Sequence, residues 1–166
     1  MTANFTKEDM LFELVEQGRE ELAVALIKSG GISGDCALSA FYKSCHNDRF
    51  SVVKTLLEYT EHTEYKGSHV LAWASYHGNI EMMEYLLSIG YDVNANRSGA
   101  VLSAIVNYKT GAANWLLENG ADEILAVEHV RDWYIKKSTP SQRQAIDSFI
   151  RDSDIFSGRW ATSSTI

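Results

Sequence analysis

Proline is almost missing: the chain has 166 residues and one proline, Pro140. Proline breaks helix interiors and marks turns, so its scarcity leaves long stretches free to be helical, and the eleven glycines fall mainly between apolar-periodic segments. The expected fold class is all-α. Cysteine is scarce too, with only Cys36 and Cys45, and neither has the companion ligands of a zinc site or the numbers of a disulfide framework. A reducing, cytoplasmic setting is the expectation. Positive charge is short: 15 Lys and Arg against 22 Asp and Glu give a net charge of -7, the wrong sign for a protein that lives on phosphate backbones. Nucleic acid is therefore not the expected partner. Nowhere does a run of about 18 apolar residues occur, and the opening MTANFTKEDMLFELVEQG lacks a basic leader followed by an apolar stretch. Neither membrane insertion nor secretion by a standard signal is expected.

What is present is ordinary for a packed protein, 45% apolar and 22% charged, in a length that suits one domain. Residues 10–28, MLFELVEQGREELAVALIK, read as helix, glycine turn, helix, with Gly30 and Gly31 as the stop. That grammar repeats. In the second helices the pairs Leu26-Ile27, Leu56-Leu57, Leu86-Leu87 and Leu116-Leu117 recur every 30 residues. In the first helices Leu11, Phe41, Leu71 and Leu102 recur at 30, 30 and 31. A turn residue sits between the helices at Gly18, Asp48, Gly78 and Lys109, and on this spacing the fourth turn is one residue short.

The stretch from Gly67 to Ala95, GSHVLAWASYHGNIEMMEYLLSIGYDVNA, resembles an ankyrin repeat. Gly67, Leu71, Ala74, Gly78, Glu81, Leu86, Leu87, Gly90 and the ending Asp92-Val93-Asn94-Ala95 fall in the family's register, and Gly120-Ala121-Asp122 repeats the ending. The resemblance implies an ankyrin-repeat solenoid of four to five helix-turn-helix units over residues 1–151. The units lie near 7–33, 34–63, 64–94 and 95–122, with a degenerate cap at 123–151 and a flexible tail at 152–166. The family's T-P-L-H signature is absent: its slots read Ser39-Ala40-Phe41-Tyr42, His69-Val70-Leu71-Ala72 and Ala100-Val101-Leu102-Ser103. TEHTEY after Tyr59 lacks the Gly-Ala-Asp ending, which predicts an irregular tip between the second and third units. Thr139-Pro140-Ser141-Gln142 is a capping box with proline at the first helical position, so a helix should run from there to Arg151.

His46, His62, His69, His77 and His129 do not fall at metal-ligand spacing, and the expected number of metals and cofactors is none. Cys45 fills a small apolar slot, whereas Cys36 reads as a loop residue open to chemical labelling. No phosphate loop, nucleophile elbow or two-histidine helix motif is present, so no catalytic residue is named and an enzyme on a repeat scaffold is the remote alternative.

The resemblance implies that first-helix ends and hairpin tips line a concave groove that binds a partner protein. Those ends read Glu16-Gln17, His46-Asn47, Tyr76-His77 and Asn107-Tyr108, with Trp73 one turn behind Tyr76. Tyr, His and Asn in a row suit a binding face, because aromatics with a polar tip supply contact area at low entropy cost. The expected site residues are Tyr76, His77, Asn107, Tyr108, His46, Asn47 and Trp73. Residues 1–130 carry 18 acidic and 9 basic side chains and residues 131–166 carry 4 and 6, which favours a partner with a basic surface; the basic C-terminal cap is the competing contact surface. The expected function is a non-catalytic protein-interaction module. A viral or bacterial effector that inhibits a host or defence enzyme is the alternative.

Overall fold

A computed structural model describes residues 6–59, 69–153, 156–158 and 160. The chain divides into two compact units, 1–65 and 66–166. The TEHTEY segment and His62 lie outside the described residues, as do residues 161–166. The described residues form helices and turns, with no strand among them.

The first unit holds α1 (Lys7–Glu16), α2 (Glu20–Lys28), α3 (Gly34–His46) and α4 (Phe50–Tyr59). Thr6 caps α1, its hydroxyl accepting from the Asp9 amide at 3.1 Å while the Asp9 carboxylate accepts from the Thr6 amide at 2.9 Å. Ser33 caps α3 through its hydroxyl alone, which accepts from the Cys36 amide at 3.4 Å. Helices α3 and α4 pack on α1 and α2, burying Leu11, Val15, Phe41, Val52, Val53 and Leu56 completely. Cys36 is not a loop residue: it lies in the first turn of α3 and is buried. Burial pushes its thiol above the ordinary range, helped by the nearby Glu8 and Asp9 carboxylates, so it is poorly suited to labelling. Cys45 is 1% exposed and its thiol is also pushed up by burial.

The second unit holds α5 (Val70–His77), α6 (Ile80–Ser88), α7 (Ala95–Val106), α8 (Thr110–Glu118), α9 (Glu123–Lys136) and α10 (Pro140–Asp152). Helix α7 is its centre, packed against α5, α8, α9 and α10. Met83, Leu86, Val101, Ala104, Leu116, Val130 and Ile146 are fully buried. The capping box at Thr139 forms as its sequence requires, with Gln142 N donating to Thr139 Oγ1 at 3.3 Å and Thr139 N donating to Gln142 Oε1 at 3.0 Å. Phe156, which falls in the stretch read as a tail, is fully buried, its ring 5.2 Å from that of Phe149. Trp160 stacks edge-on to Tyr134 at 5.8 Å.

The repeat register is stricter than the sequence reading had it. Gly18, Asp48, Gly78 and Tyr108 all have positive φ, at 70°, 56°, 76° and 58°, a spacing of 30 throughout. Each turn closes with the same bond: Arg19 N to Leu14 O, Arg49 N to Ser44 O, Asn79 N to Ala74 O and Lys109 N to Ala104 O, all between 2.8 and 2.9 Å. The fourth turn residue is therefore Tyr108, not Lys109, and the fourth opening core residue is Val101, with Leu102 one place outside it. No residue is missing from that turn. Tyr108 conceals the register because bulky residues rarely adopt the left-handed conformation that glycine takes freely.

Candidate partner-binding site

The connections between helix pairs are short, residues 29–33 before α3, 89–94 before α7 and 119–122 before α9, and none of them forms a strand. A repeat of 30 leaves three residues fewer than the 33 typical of ankyrin repeats, and these short turns form no β-hairpin fingers. Any binding face among the described residues must then be carried by helices.

In the second unit the period of 30 sets side chains of α5, α7 and α9 in rows. His69, just ahead of α5, Gly99 and His129 share one row, and Trp73, Ser103 and Trp133 share another. Gly99 puts no side chain between the two histidines, and a pocket of about 180 Å³ opens there. Leu71, Ala72, Ala100 and Leu102 give it an apolar lining; His69, Asn96, Ser103, His129 and Trp133 give it polar edges. The Trp133 indole N–H is buried without a hydrogen-bond acceptor. An unmet donor of this kind costs about 1–3 kcal/mol.

One wall of the pocket is unusual. Asn96, Arg97 and Ser98 are three consecutive left-handed residues, with φ of 54°, 59° and 55°. For non-glycine residues this conformation costs roughly 1–2 kcal/mol each, so side chains must hold it. Arg97 pairs with Asp132 at 3.1 Å and Glu128 at 3.9 Å, and Ser98 Oγ donates to Asn94 Oδ1 at 2.9 Å. The Arg97 carbonyl lies 3.1 Å from His129 Nδ1. A carbonyl only accepts, so Nδ1 carries the proton and Nε2 of the neutral ring is an acceptor.

Burial pushes His129 below the ordinary value of 6.5 and Arg97 and Lys137 act the same way, while its bond to the Arg97 carbonyl and the Asp132 charge oppose them. The unfolded chain then takes up this proton before the folded one does. Stability is expected to be level above about pH 7 and to fall as pH drops through 6.5 toward the folded value. Urea midpoints measured from about pH 7 to 5 should fall less for His129→Gln than for the wild type; equal slopes would remove His129 from this role.

The residues singled out from the sequence do not share one environment. Tyr76 is 46% exposed near the end of α5, its ring 5.0 Å from that of His77, which is half-buried. Trp73 is half-buried on α5, beside Ala72 in the chain but outside the lining of the pocket. Asn107 caps α7, its side chain donating to Ser103 O at 2.8 Å. In the corrected register Asn107 matches His77, Val106 matches Tyr76, and Tyr108 matches Gly78. Tyr108 belongs to the turn, where its hydroxyl donates to Ser141 O at 2.8 Å. His46 ends α3 exposed and Asn47 caps it, both in the first unit. Sequence reasoning missed Asn96, Arg97 and Trp133. The available signal was Gly99 standing 30 residues from a histidine on either side.

A family model described as ankyrin repeats, in three copies, matches residues 11–97. The chain belongs to the ankyrin-repeat family. Ankyrin repeats are generally protein-protein interaction modules and typically not catalytic. No curated protein matches the chain. Within this ankyrin chain, no described group of three His, Cys, Asp or Glu side chains is placed to hold a metal ion, and no described helix is long and apolar enough to cross a membrane.

Proposed function

We propose that this ankyrin chain is a non-catalytic module that holds a partner protein on the first-helix face of its second unit, with one partner side chain seated between His69 and His129. The observation that carries this reading is the pocket itself. At about 180 Å³ it falls below the range of roughly 300–1,000 Å³ for small-molecule sites, and it suits a single side chain. Its apolar lining and the polar edge at His69, Asn96 and His129 suit a side chain with an apolar body and a polar tip. Tyr76, 46% exposed on α5, supplies an aromatic anchor of the kind that dominates interface energy. The net charge of -7 favours a partner with a basic surface, mainly through the rate of encounter. The two buried, unpaired thiols suit a reducing cytoplasm.

The test is affinity capture from an extract of the native source, comparing the wild type with Gly99→Leu and Tyr76→Ala. Leucine at 99 fills the pocket without backbone strain, since an added Cβ there meets Asn96 Cβ at 3.4 Å, an ordinary contact. Tyr76→Ala should weaken the captured partner by more than about 1 kcal/mol, and Gly99→Leu should remove it. Lys54→Ala, on an exposed side of α4, should change nothing. An identical set of proteins captured by the wild type and by both variants sinks this reading.

A further inference from the structure

The two histidines at the pocket are held in opposite tautomers, and the difference decides which side chain fits between them. Asn96 Nδ2, a group that only donates, lies 3.5 Å from His69 Nδ1. Nδ1 of His69 therefore accepts, its ring hydrogen is on Nε2, and Nε2 is a donor. His129 is set the other way by the Arg97 carbonyl, 3.1 Å from its Nδ1, so its Nε2 accepts. The pocket is thus bounded by one ring donor just ahead of α5 and one ring acceptor on α9. Gly99 keeps the second ring open to it: a Cβ at that position would stand 3.8 Å from His129 Cε1, the carbon bonded to Nε2.

The rest of the lining narrows the choice. No Asp, Glu, Lys or Arg lines the pocket, so an ionised tip would lose its hydration without gaining a counter-ion. A carboxylate would also set its lone pairs against that of His129 Nε2, and an ammonium would set its hydrogens against that of His69 Nε2. A hydrocarbon or thioether would leave both ring nitrogens without a partner. A hydroxyl carries donor and acceptor on one oxygen, whereas a carboxamide carries them on two atoms that diverge toward two walls. Glutamine adds two methylenes, which suit the apolar lining of Leu71, Ala72, Ala100 and Leu102.

The charges around His129 keep its acceptor in place at neutral pH. Burial, Arg97 and Lys137 favour the neutral ring, against the Arg97 carbonyl and Asp132. Arg97 itself is paired with Asp132 and Glu128, and the Lys137 ammonium lies 5.6 Å from the centre of the Trp133 ring.

We propose, resting on the pocket as the seat of a partner side chain, that its occupant is a glutamine whose oxygen accepts from His69 Nε2 and whose amide nitrogen donates to His129 Nε2. Protonation of His129 turns its acceptor into a second donor. The preferred occupant then becomes glutamate, whose two oxygens accept from both rings and which is still ionised above about pH 4.3.

The probes are four peptides, acetyl-Gly-X-Gly-amide with X as glutamine, glutamate, methionine or tyrosine. Each is titrated into the full chain, and binding is read from the imidazole Cε1–H signals of His69 and His129. At about pH 7.5 the glutamine peptide should shift both signals and bind at least about fivefold more tightly than the other three. Gly99→Leu should abolish its binding. His69→Leu, at an exposed ring, should bring glutamine down to the level of methionine with an unchanged melting temperature. As the pH is lowered, the His129 signal reports its own protonation, and across that transition glutamate should overtake glutamine. In His129→Leu the order of the two should stay fixed; should that variant fail to fold, the wild-type titration and His69→Leu suffice. Glutamine and methionine peptides that bind alike at about pH 7.5 overturn the proposal, as does tighter binding of the tyrosine peptide or a preference that does not move as His129 titrates. Partner capture judges the pocket separately: if Gly99→Leu still removes the partner while glutamine shows no advantage, the seat stands and the carboxamide occupant is wrong.

Discussion

Phe41→Ala is expected to lower the stability of the chain by about 3–5 kcal/mol, the range for an aromatic removed from a closed core. Phe41 is completely buried in the middle of α3 and stands 30 residues after Leu11, which is also completely buried. Its ring packs edge-on to that of Tyr42 at 5.7 Å. The loss has two parts, the transfer of the ring from water and the cavity left when α1, α2 and α4 fail to close over the gap. Against the 5–15 kcal/mol that typically separates folded from unfolded chains, such a change is a large fraction. Urea denaturation followed by circular dichroism measures it. Because Phe41 lies in the first unit, hydrogen exchange should show amides of α1 to α4 losing protection by more than those of α7 to α9. Lys54→Ala, on the exposed side of α4, should stay within about 0.5 kcal/mol. A loss below about 1 kcal/mol for Phe41→Ala would mean that the ring is not in a packed core.

The second-helix ladder Leu26, Leu56, Leu86 and Leu116 was legible because each member is a leucine followed by a second aliphatic residue at a constant spacing of 30, and three of the four are completely buried. The first-helix ladder slipped by one at its last step for two local reasons. Val101 and Leu102 are both apolar and both buried, so burial preference does not choose between them. The turn that would have settled the register is made by Tyr108, a residue for which positive φ carries no propensity signal. That slip passed into the site reading, where Asn107 was paired with Tyr108 although Asn107 alone matches His77. The pocket was illegible for a different reason. It is made by the absence of a side chain at Gly99 and by a left-handed run at Asn96, Arg97 and Ser98, and beside the local Ser98–Asn94 bond the run is held by Asp132 and His129, 35 and 32 positions from Arg97. No window of local sequence contains both halves of that arrangement.

Asn94→Ala should destabilise the second unit by about 2–3 kcal/mol, although Asn94 is only half-buried. Its side chain joins two connections that lie more than twenty residues apart. Nδ2 donates to Gly120 O at 3.2 Å, and Oδ1 accepts from the Asp122 amide at 2.6 Å and from Ser98 Oγ at 2.9 Å. Each such bond contributes about 0.5–1.5 kcal/mol net, and the three are not additive, because they share one amide group. Asp122 caps α9 through bonds to the Ile124 and Leu125 amides at 2.8 and 3.0 Å, so releasing its backbone loosens the start of that helix. Ser98 ends the left-handed run, and once its hydroxyl is freed the strain stored at residues 96–98 has one restraint fewer. The expected signature is therefore local. Amides at 119–126 should exchange faster while those of α3 and α4 keep their wild-type rates, and the melting temperature should fall by several degrees. Asn94→Asp keeps both acceptor bonds and loses only the donor to Gly120, so it should recover part of the loss. If Asn94→Ala and Asn94→Asp melt alike at the wild-type temperature, the amide does not clamp these connections, and the left-handed run at the pocket wall must be held by Arg97 and its carboxylates alone.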